Sequence, residues 1–196
     1  MPHKSRLIIG ISGASGVMYG IRLLEILKKQ PIETHLVMSE AAEMTLACES
    51  NLKPADVYTL ADHAYRNDNM GAAISSGSFQ TLGMIVAPCS VRSLAEIATG
   101  VTSHLLTRSA DVVLKERRRL VLMVRETPLH AGHIRNMLSA TELGAIIAPP
   151  MPAFYPQPES LDEMVDHNVG RVLDLFGLDC GNVNRWGEAQ SQKKDK

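Results

Sequence analysis

The feature that most constrains this chain is the placement of its short apolar runs. Arg6–Ile11 (RLIIGI), Glu33–Val37 (ETHLV), Met84–Ala87 (MIVA), Leu120–Val124 (LVLMV) and Ala145–Ala148 (AIIA) are brief, and several are apolar on successive residues. Continuous runs of this kind suit strands buried on both faces, as in a parallel sheet. Between them lie stretches with helical character near Tyr19–Lys29, Glu40–Glu49, Leu94–Ala98, Leu105–Arg118 and His133–Leu143. A βαβα order with short connections predicts a three-layer, doubly wound α/β domain. A last helix is expected over Leu161–Phe176, with Leu161, Val165, Val169, Val172, Leu173 and Phe176 on one face. Residues 51–81 show no clear period. A length of 196 residues fits one domain, read as 1–186 with a polar tail at 187–196.

Composition narrows the function classes. Lys plus Arg number 20 and Asp plus Glu 21, a net charge of -1 that argues against a nucleic-acid binder. With 45% hydrophobic and 21% charged residues, the chain is no acidic disordered segment. Aromatic residues are scarce, with one Trp, four Tyr and three Phe, so the core must be aliphatic and a planar ligand meets few rings. No apolar run is long enough to span a membrane and no signal-type segment is seen. Cys48, Cys89 and Cys180 are odd in number and lack a CxxC spacing, which makes a reducing cytoplasm the simplest setting.

In an open α/β sheet, ligands sit beyond the carboxyl ends of the strands. The first strand ends in Gly10-Ile11-Ser12-Gly13-Ala14-Ser15-Gly16. Small residues let a ligand approach the backbone, and the helix start that follows offers N–H groups to an anion. The spacing is GxxGxxG, neither the dinucleotide fingerprint nor a GxxxxGK[ST] phosphate loop. Ser39 follows the second strand, and Pro88-Cys89-Ser90-Val91-Arg92-Ser93 follows a later one. Three hydroxyl-bearing loops at one sheet edge suit a mononucleotide phosphate. The competing readings are a plain tight turn, Ser39 as a simple N-cap, and Ser93-Leu-Ala-Glu96 as a capping box.

Other charged groups are weighed in the same way. Arg125-Glu126 stands just past an apolar strand, where Arg can fork onto a phosphate and Glu can move a proton; a surface ion pair is the alternative. Lys115-Glu116-Arg117-Arg118-Arg119 reads as a solvated helix end, or as an anion contact made across a subunit interface. His130 and His133 lack a third ligand at metal spacing and are expected to cap or face solvent, and no metal site is assigned. Cys89 reads as a small buried hydrophobe rather than a nucleophile. Asp162-Glu163-Met164-Val165-Asp166 looks like a magnesium-binding prenyl-diphosphate motif, but Ser160-Leu-Asp-Glu163 explains the acids as a helix cap.

Taken together these segments resemble the UbiX-type flavin prenyltransferases, small partners of UbiD-type decarboxylases. The resemblance runs from about Leu7 to Trp186 and rests on GASG at Gly13–Gly16, PCS at Pro88–Ser90, ADVVLKERR at Ala110–Arg118, LVLMVRETP at Leu120–Pro128, NML at Asn136–Leu138, PAFY at Pro152–Tyr155 and RW at Arg185-Trp186. It implies a Rossmann-like flavoprotein fold assembled as a homo-oligomer, a dodecamer of trimers. It also implies transfer of a dimethylallyl group from dimethylallyl phosphate to N5 and then C6 of reduced FMN. The product, prenylated FMN, would pass to a UbiD-type aromatic acid decarboxylase. Carried over by motif, Gly13, Ala14, Ser15, Ser39, Ser90, Val91, Arg92, Ser93 and Arg125 would bind FMN. Tyr155 and Arg171 would hold the dimethylallyl phosphate, helped by Lys115 and Arg108 of a neighbouring subunit. Glu126 resembles the catalytic acid/base, Ser15 its proton-relay partner, and Glu49 a further active-site acid. Tyr155 and Trp186 become the rings to test beside a flavin or prenyl group. Two other functions remain open: an FMN-dependent cysteine decarboxylase of the same fold, and a non-catalytic flavin-carrying subunit of a decarboxylase complex. The donor could be the phosphate or the diphosphate, and the recipient's aromatic acid is not specified.

Overall fold

The computed structural model describes residues 5–181 and 183. Contacts group the chain into two compact units divided between Pro149 and Pro150. The first contains β1 (Ser5–Ile11), α1 (Val17–Leu27), β2 (Ile32–Met38), α2 (Glu40–Glu49), α3 (Pro54–Tyr58), β3 (His63–Arg66), β4 (Gly83–Cys89), α4 (Val91–Thr99), α5 (Leu105–Lys115), β5 (Arg119–Val124), α6 (Ala131–Glu142) and β6 (Ala145–Ile147). The second contains α7 (Leu161–Asp174).

The six strands form one sheet in the order β3-β2-β1-β4-β5-β6, and every pairing is parallel. This is the doubly wound, Rossmann-like arrangement that the continuous apolar runs predicted. Residues Leu7 to Ile11 of β1 and all seven residues of β4 are buried. A parallel sheet with both faces covered requires that pattern. On one face Ile8, Met84, Val86, Leu120 and Leu122 join a cluster with Leu94 and Ile97 of α4 and Leu106, Ala110 and Val113 of α5. The opposite face takes α1. Gly20 permits its close approach, because a Cβ there would lie 2.4 Å from the Ala87 carbonyl oxygen and 2.7 Å from Ile11.

β3 was not legible in the sequence. It is an edge strand with three of its four residues exposed, so it carries no apolar run to betray it. It pairs through His35↔His63 and Val37↔Tyr65, and its rings stack on His35. Buried His35 bonds Tyr65 Oη at 3.0 Å and Glu33 Oε1 at 2.9 Å, and Arg6 Nε donates to the same Glu33 oxygen at 3.0 Å. Glu33, His35 and His63 do bring ligand-type atoms within 4.8 Å. The Glu33 carboxylate is already engaged by Arg6 and His35, and the two imidazoles stack with their planes at 16°. The cluster acts as a polar staple between β1, β2 and β3.

In the second unit, α7 buries Val169, Gly170, Val172 and Leu173. Leu161, expected on that apolar face, is instead 79% exposed. It is the first helical residue, where the cap rather than the helical period sets direction. Ser160 Oγ accepts from Glu163 N at 3.2 Å, as the capping-box reading requires. The Glu163 carboxylate reaches one residue further back, to Glu159 N at 2.7 Å.

Candidate active site

Strand order reverses between β1 and β4, and there the loops leave in opposite directions and open a crevice at the carboxyl edge. The crevice is held by a residue whose role the motifs did not reveal, Ser12. Its hydroxyl is fully buried, donates to Pro88 O at 2.9 Å and accepts from Ser90 N at 2.7 Å. The Ser12 amide also donates to Pro88 O. The β5 loop joins the same frame, since Arg125 N donates to Cys89 O at 3.1 Å. Ser12 lay inside the glycine-rich loop, but burial of a serine between two strand ends is a tertiary fact with no local signal.

Along this edge a cavity of about 230 Å³ opens, lined by Gly13, Ser39, Ser90, Arg92, Ser93 and Leu106 among others. Ser39 and Ser90 are the N-caps of α2 and α4: Ser39 Oγ accepts from Ala42 N at 3.1 Å and Ser90 Oγ from Ser93 N at 3.2 Å. Ser93 is therefore not a cap, contrary to the expected Ser93–Glu96 box. Helix α4 begins three residues earlier, because the buried tie to Ser12 fixes the extended backbone at Ser90. Ser93 turns inward and shares a 3.1 Å bond with Ser90 Oγ. Glu96 pairs with Arg92 at 2.9 Å. Val91 is the first residue of α4. Gly13 sits where no side chain fits, with a Cβ position 2.3 Å from Ala41 Cβ.

Around the start of α1 lies a second group. The expectation that its amides stand open to an anion is corrected by Glu49. Its carboxylate accepts from Gly16 N at 3.0 and 2.8 Å and from Val17 N at 3.1 Å. Gly16 has φ 98° and supplies no side-chain cap, so Glu49, from the end of α2, takes that place. Burial works to raise the Glu49 carboxyl, yet bonds from the Ser15 hydroxyl and the Gly16 and Val17 amides, with Arg125's charge, hold it below the usual carboxylate range. Ser15 thus partners Glu49, where Glu126 had been expected. Arg125 closes over this group, with its Cδ 3.3 Å from the Cβ position of Gly16. Ala14 follows Gly13 in the same loop, its amide donating to Ser12 O at 2.8 Å. Glu126 is exposed and accepts from Thr127 N at 2.9 Å, so it does not spend itself on its neighbour Arg125.

Arg108 and Lys115 are engaged within their own chain. Arg108 pairs with Asp111 at 2.9 Å and donates to Ser75 O, while Lys115 pairs with Glu116 at the end of α5 distant from the cavity-lining Leu106. Arg118 is no solvated cation: it donates to the carbonyls of Phe79 and Gly77, both at 2.7 Å. His130 caps α6 through Gly132 N at 3.0 Å, in line with its capping reading. Cys89 is buried, and burial pushes its thiol up to about 12, which removes it as a nucleophile. In the second unit, Arg171 is exposed and pairs with Asp174 at 2.8 Å, and Tyr155 Oη lies 3.0 Å from His167 Nε2. His167 also lines a cavity of about 270 Å³ with Ala153, Pro156, Pro158 and Met164. Trp186 lies outside the described residues.

An all-parallel sheet with hydroxyl-bearing helix caps around its switch-point cavity defines a class, the mononucleotide-binding α/β proteins. Comparison with known proteins narrows it. A flavin prenyltransferase UbiX of Neisseria meningitidis serogroup B is 55% identical over 181 residues, covering 92% of this chain and 96% of its own. One from Escherichia coli K12 is 57% identical over 174 residues, covering 88% and 92%. Among solved structures, AnUbiX in complex with FMN and dimethylallyl pyrophosphate superposes with a TM-score of 0.93 at 49% identity, covering 94% of this chain and 98% of that one. A dodecameric FMN-dependent UbiX-like decarboxylase from Escherichia coli O157:H7 gives 0.91 at 49%, covering 92% and 98%. The chain belongs to the UbiX-type flavin prenyltransferases, within the flavoprotein family that it matches over residues 1–169.

Proposed function

We propose that this protein transfers a dimethylallyl group from dimethylallyl phosphate to reduced FMN, with the crevice residues in the following roles. The observation that carries the reading is the meeting of two groups at one sheet edge: the Gly13–Ser39–Ser90 cavity, and the Ser15–Glu49–Arg125 cluster on the β1–α1 loop. Flavin fits the first. Gly13 leaves backbone bare against the cavity, the N-caps of α2 and α4 present hydroxyls and helix N-termini, and Leu106 supplies an apolar wall. Gly13, Ala14, Ser15, Ser39, Ser90, Val91, Arg92, Ser93 and Arg125 form the FMN-binding set.

Reduced flavin would supply nucleophilic N5 and C6: N5 gives up its proton as it takes the allylic carbon and the donor's C–O bond breaks with its electron pair on phosphate, and C6 gives up its proton as it adds across the dimethylallyl double bond, which gains one, so no external oxidant is required. The side chains then manage charge and protons. Ser15 gives its hydroxyl proton to a hydrogen bond with ionised Glu49, which leaves the Ser15 oxygen able to accept from a flavin N–H. Glu126 serves as the acid/base for phosphate departure and ring closure. Arg125 belongs to the FMN-binding set, while Tyr155 and Arg171 hold the donor phosphate, with Arg108 and Lys115 of a neighbouring subunit assisting in a dodecameric assembly. The product passes to a UbiD-type aromatic acid decarboxylase in the cytoplasm. Among the described residues, no helix is long and apolar enough to cross a membrane.

One assay separates this from a cysteine decarboxylase or a passive flavin carrier. Protein is incubated anaerobically with reduced FMN and dimethylallyl phosphate, and the released flavin is weighed by mass spectrometry. A mass gain of one dimethylallyl unit supports the reading; unmodified FMN, where a known UbiX converts it, refutes it. Glu126→Gln should keep FMN bound yet slow turnover roughly 100-fold.

A further inference from the structure

β3, silent in the sequence, delivers Asn67 to the carboxyl edge of the sheet. Arg66 pairs with Met38, so Asn67 and Ser39 leave adjacent parallel strands side by side. Half-buried Asn67 borders the same cavity as Ser39, Ser90 and Ser93. It also caps α5. Its backbone carbonyl accepts from Leu105 N at 2.8 Å, and its Oδ1 accepts from Leu106 N at 3.0 Å. His104, in the N-cap position, makes no side-chain bond to the helix. These bonds settle how the Asn67 amide lies. A backbone N–H only donates, so the atom facing Leu106 is the oxygen, which leaves the NH2 and its two donors on the other branch. Among the described residues that amino group meets no acceptor, and it is not sealed from solvent.

We infer that Asn67 is a further FMN-binding residue, whose amino group donates to the flavin phosphate. This rests on the reading that FMN occupies the cavity with its phosphate toward the N-caps of α2 and α4. Part of the cavity's donor supply is already spent: the Ser90 hydroxyl donates to Ser93 Oγ, and Arg92 Nε to Glu96. Glu40, Asp68 and Glu96 border the same cavity. A phosphate brought beside these carboxylates needs hydrogen bonds from groups that add no negative charge of their own. The Asn67 amide supplies two N–H groups, held in place by the bond that its oxygen makes to α5. Helix capping and ligand binding thus use the two branches of one amide, the oxygen for the fold and the nitrogen for the phosphate.

The test titrates the full-length enzyme with oxidised FMN and with riboflavin, which lacks the phosphate, and follows urea unfolding in parallel. Asn67→Asp keeps an oxygen for the Leu106 amide but replaces the NH2 by a second, negatively charged oxygen. It should leave the urea midpoint unchanged and raise Kd for FMN about tenfold or more, the worth of one hydrogen bond to a charged group. Kd for riboflavin should not change. Asn67→Ala, which removes both branches, should weaken FMN by a similar factor and also lower the urea midpoint. Wild-type FMN affinity in Asn67→Asp would overturn the inference. So would a rise in Kd that is equal for riboflavin and FMN, because a displaced α5 and not a lost phosphate contact would then be the cause. If the wild type binds riboflavin as tightly as FMN, the phosphate reading of the cavity falls, and Asn67 with it. A wild-type preference for FMN that survives both substitutions leaves that reading standing and removes Asn67 alone.

Discussion

Gly13 gives the sharpest test of how the crevice is built. The obstacle there is contact rather than backbone strain. A Cβ at this position would lie 2.3 Å from Ala41 Cβ, 3.0 Å from Ala41 C and 3.2 Å from Ala41 Cα. Carbon atoms settle at about 3.5–4.0 Å, so Gly13→Ala must drive the β1–α1 loop and the start of α2 apart by more than an ångström. Neither side yields easily. Ser39 N is bonded to Ile11 O at 3.0 Å, and the next loop is held by Ser12. Overpacking of this kind costs about 1–3 kcal/mol. At roughly 2–4 °C per kcal/mol for a chain of this size, the melting temperature should fall by about 4–8 °C for a mid-range loss. Because the same displacement separates Gly13 from Ser39, FMN affinity should drop about tenfold or more. Ala41→Gly alone should cost up to ~1 kcal/mol in helix propensity. Combined with Gly13→Ala it removes the shortest contact, so the double variant should recover about 1 kcal/mol relative to the sum of the singles. Urea unfolding and flavin fluorescence titration measure both quantities. A Gly13→Ala protein with unaltered stability and FMN affinity, or strict additivity in the double variant, would refute the close-approach argument.

Ser12→Ala should cost about 1–3 kcal/mol in urea unfolding, because it removes the acceptor of the part-buried Ser90 N–H and a donor to Pro88 O; no loss would mean that the two strand ends hold each other without it. Glu49 is depressed below its ordinary 4.5, so its stabilisation is present above that pH and is lost as pH falls through the lower folded value. Glu49→Gln should therefore flatten the acid limb of stability against pH, and an unaltered limb would count against the α1 cap. Native protein treated with iodoacetamide at neutral pH should be alkylated at exposed Cys48 and not at Cys89, whose thiol is pushed up to about 12; peptide mapping that finds Cys89 modified would contradict its burial.

Most of the sheet was legible because a buried parallel strand writes itself as an uninterrupted apolar run. RLIIGI and LVLMV identify β1 and β5 to within a residue or two. β3 was silent because an edge strand needs only one partner, and its HAYR sequence shows its ring atoms to His35 rather than to a core. The 3-10 turn at Ala73–Ser75 and the neighbouring loop hide for a similar reason. They are held by Arg118, which reads in the sequence as part of a solvated helix end, and by Arg108, which reads there as a contact to the donor in a neighbouring subunit; neither reading names the carbonyls they bind. At the site, the loop positions were readable from strand ends, while the pairings were not. Nothing in Gly13–Gly16 says that its hydroxyl partner comes from the end of the second helix. Nothing in Ser90–Ser93 says which serine caps.

Those pairings decide the electrostatics. With Gly16 and Val17 amides given to Glu49, α1 is not the anion-binding helix that its glycine loop suggested. A second anion brought to the same amides would have to displace a carboxylate that three donors and Arg125 already favour. The helix N-termini that border the cavity are then those of α2 and α4, capped by Ser39 and Ser90, and the Ser90 hydroxyl is already committed at both ends, accepting from Ser93 N and donating to Ser93 Oγ. Glu49, kept ionised, is better suited to take a proton through Ser15 than to give one. The other proton-transfer role in the proposed reaction is then assigned to a different group, Glu126, which is exposed on the adjoining β5 loop with its carboxylate accepting from the Thr127 amide.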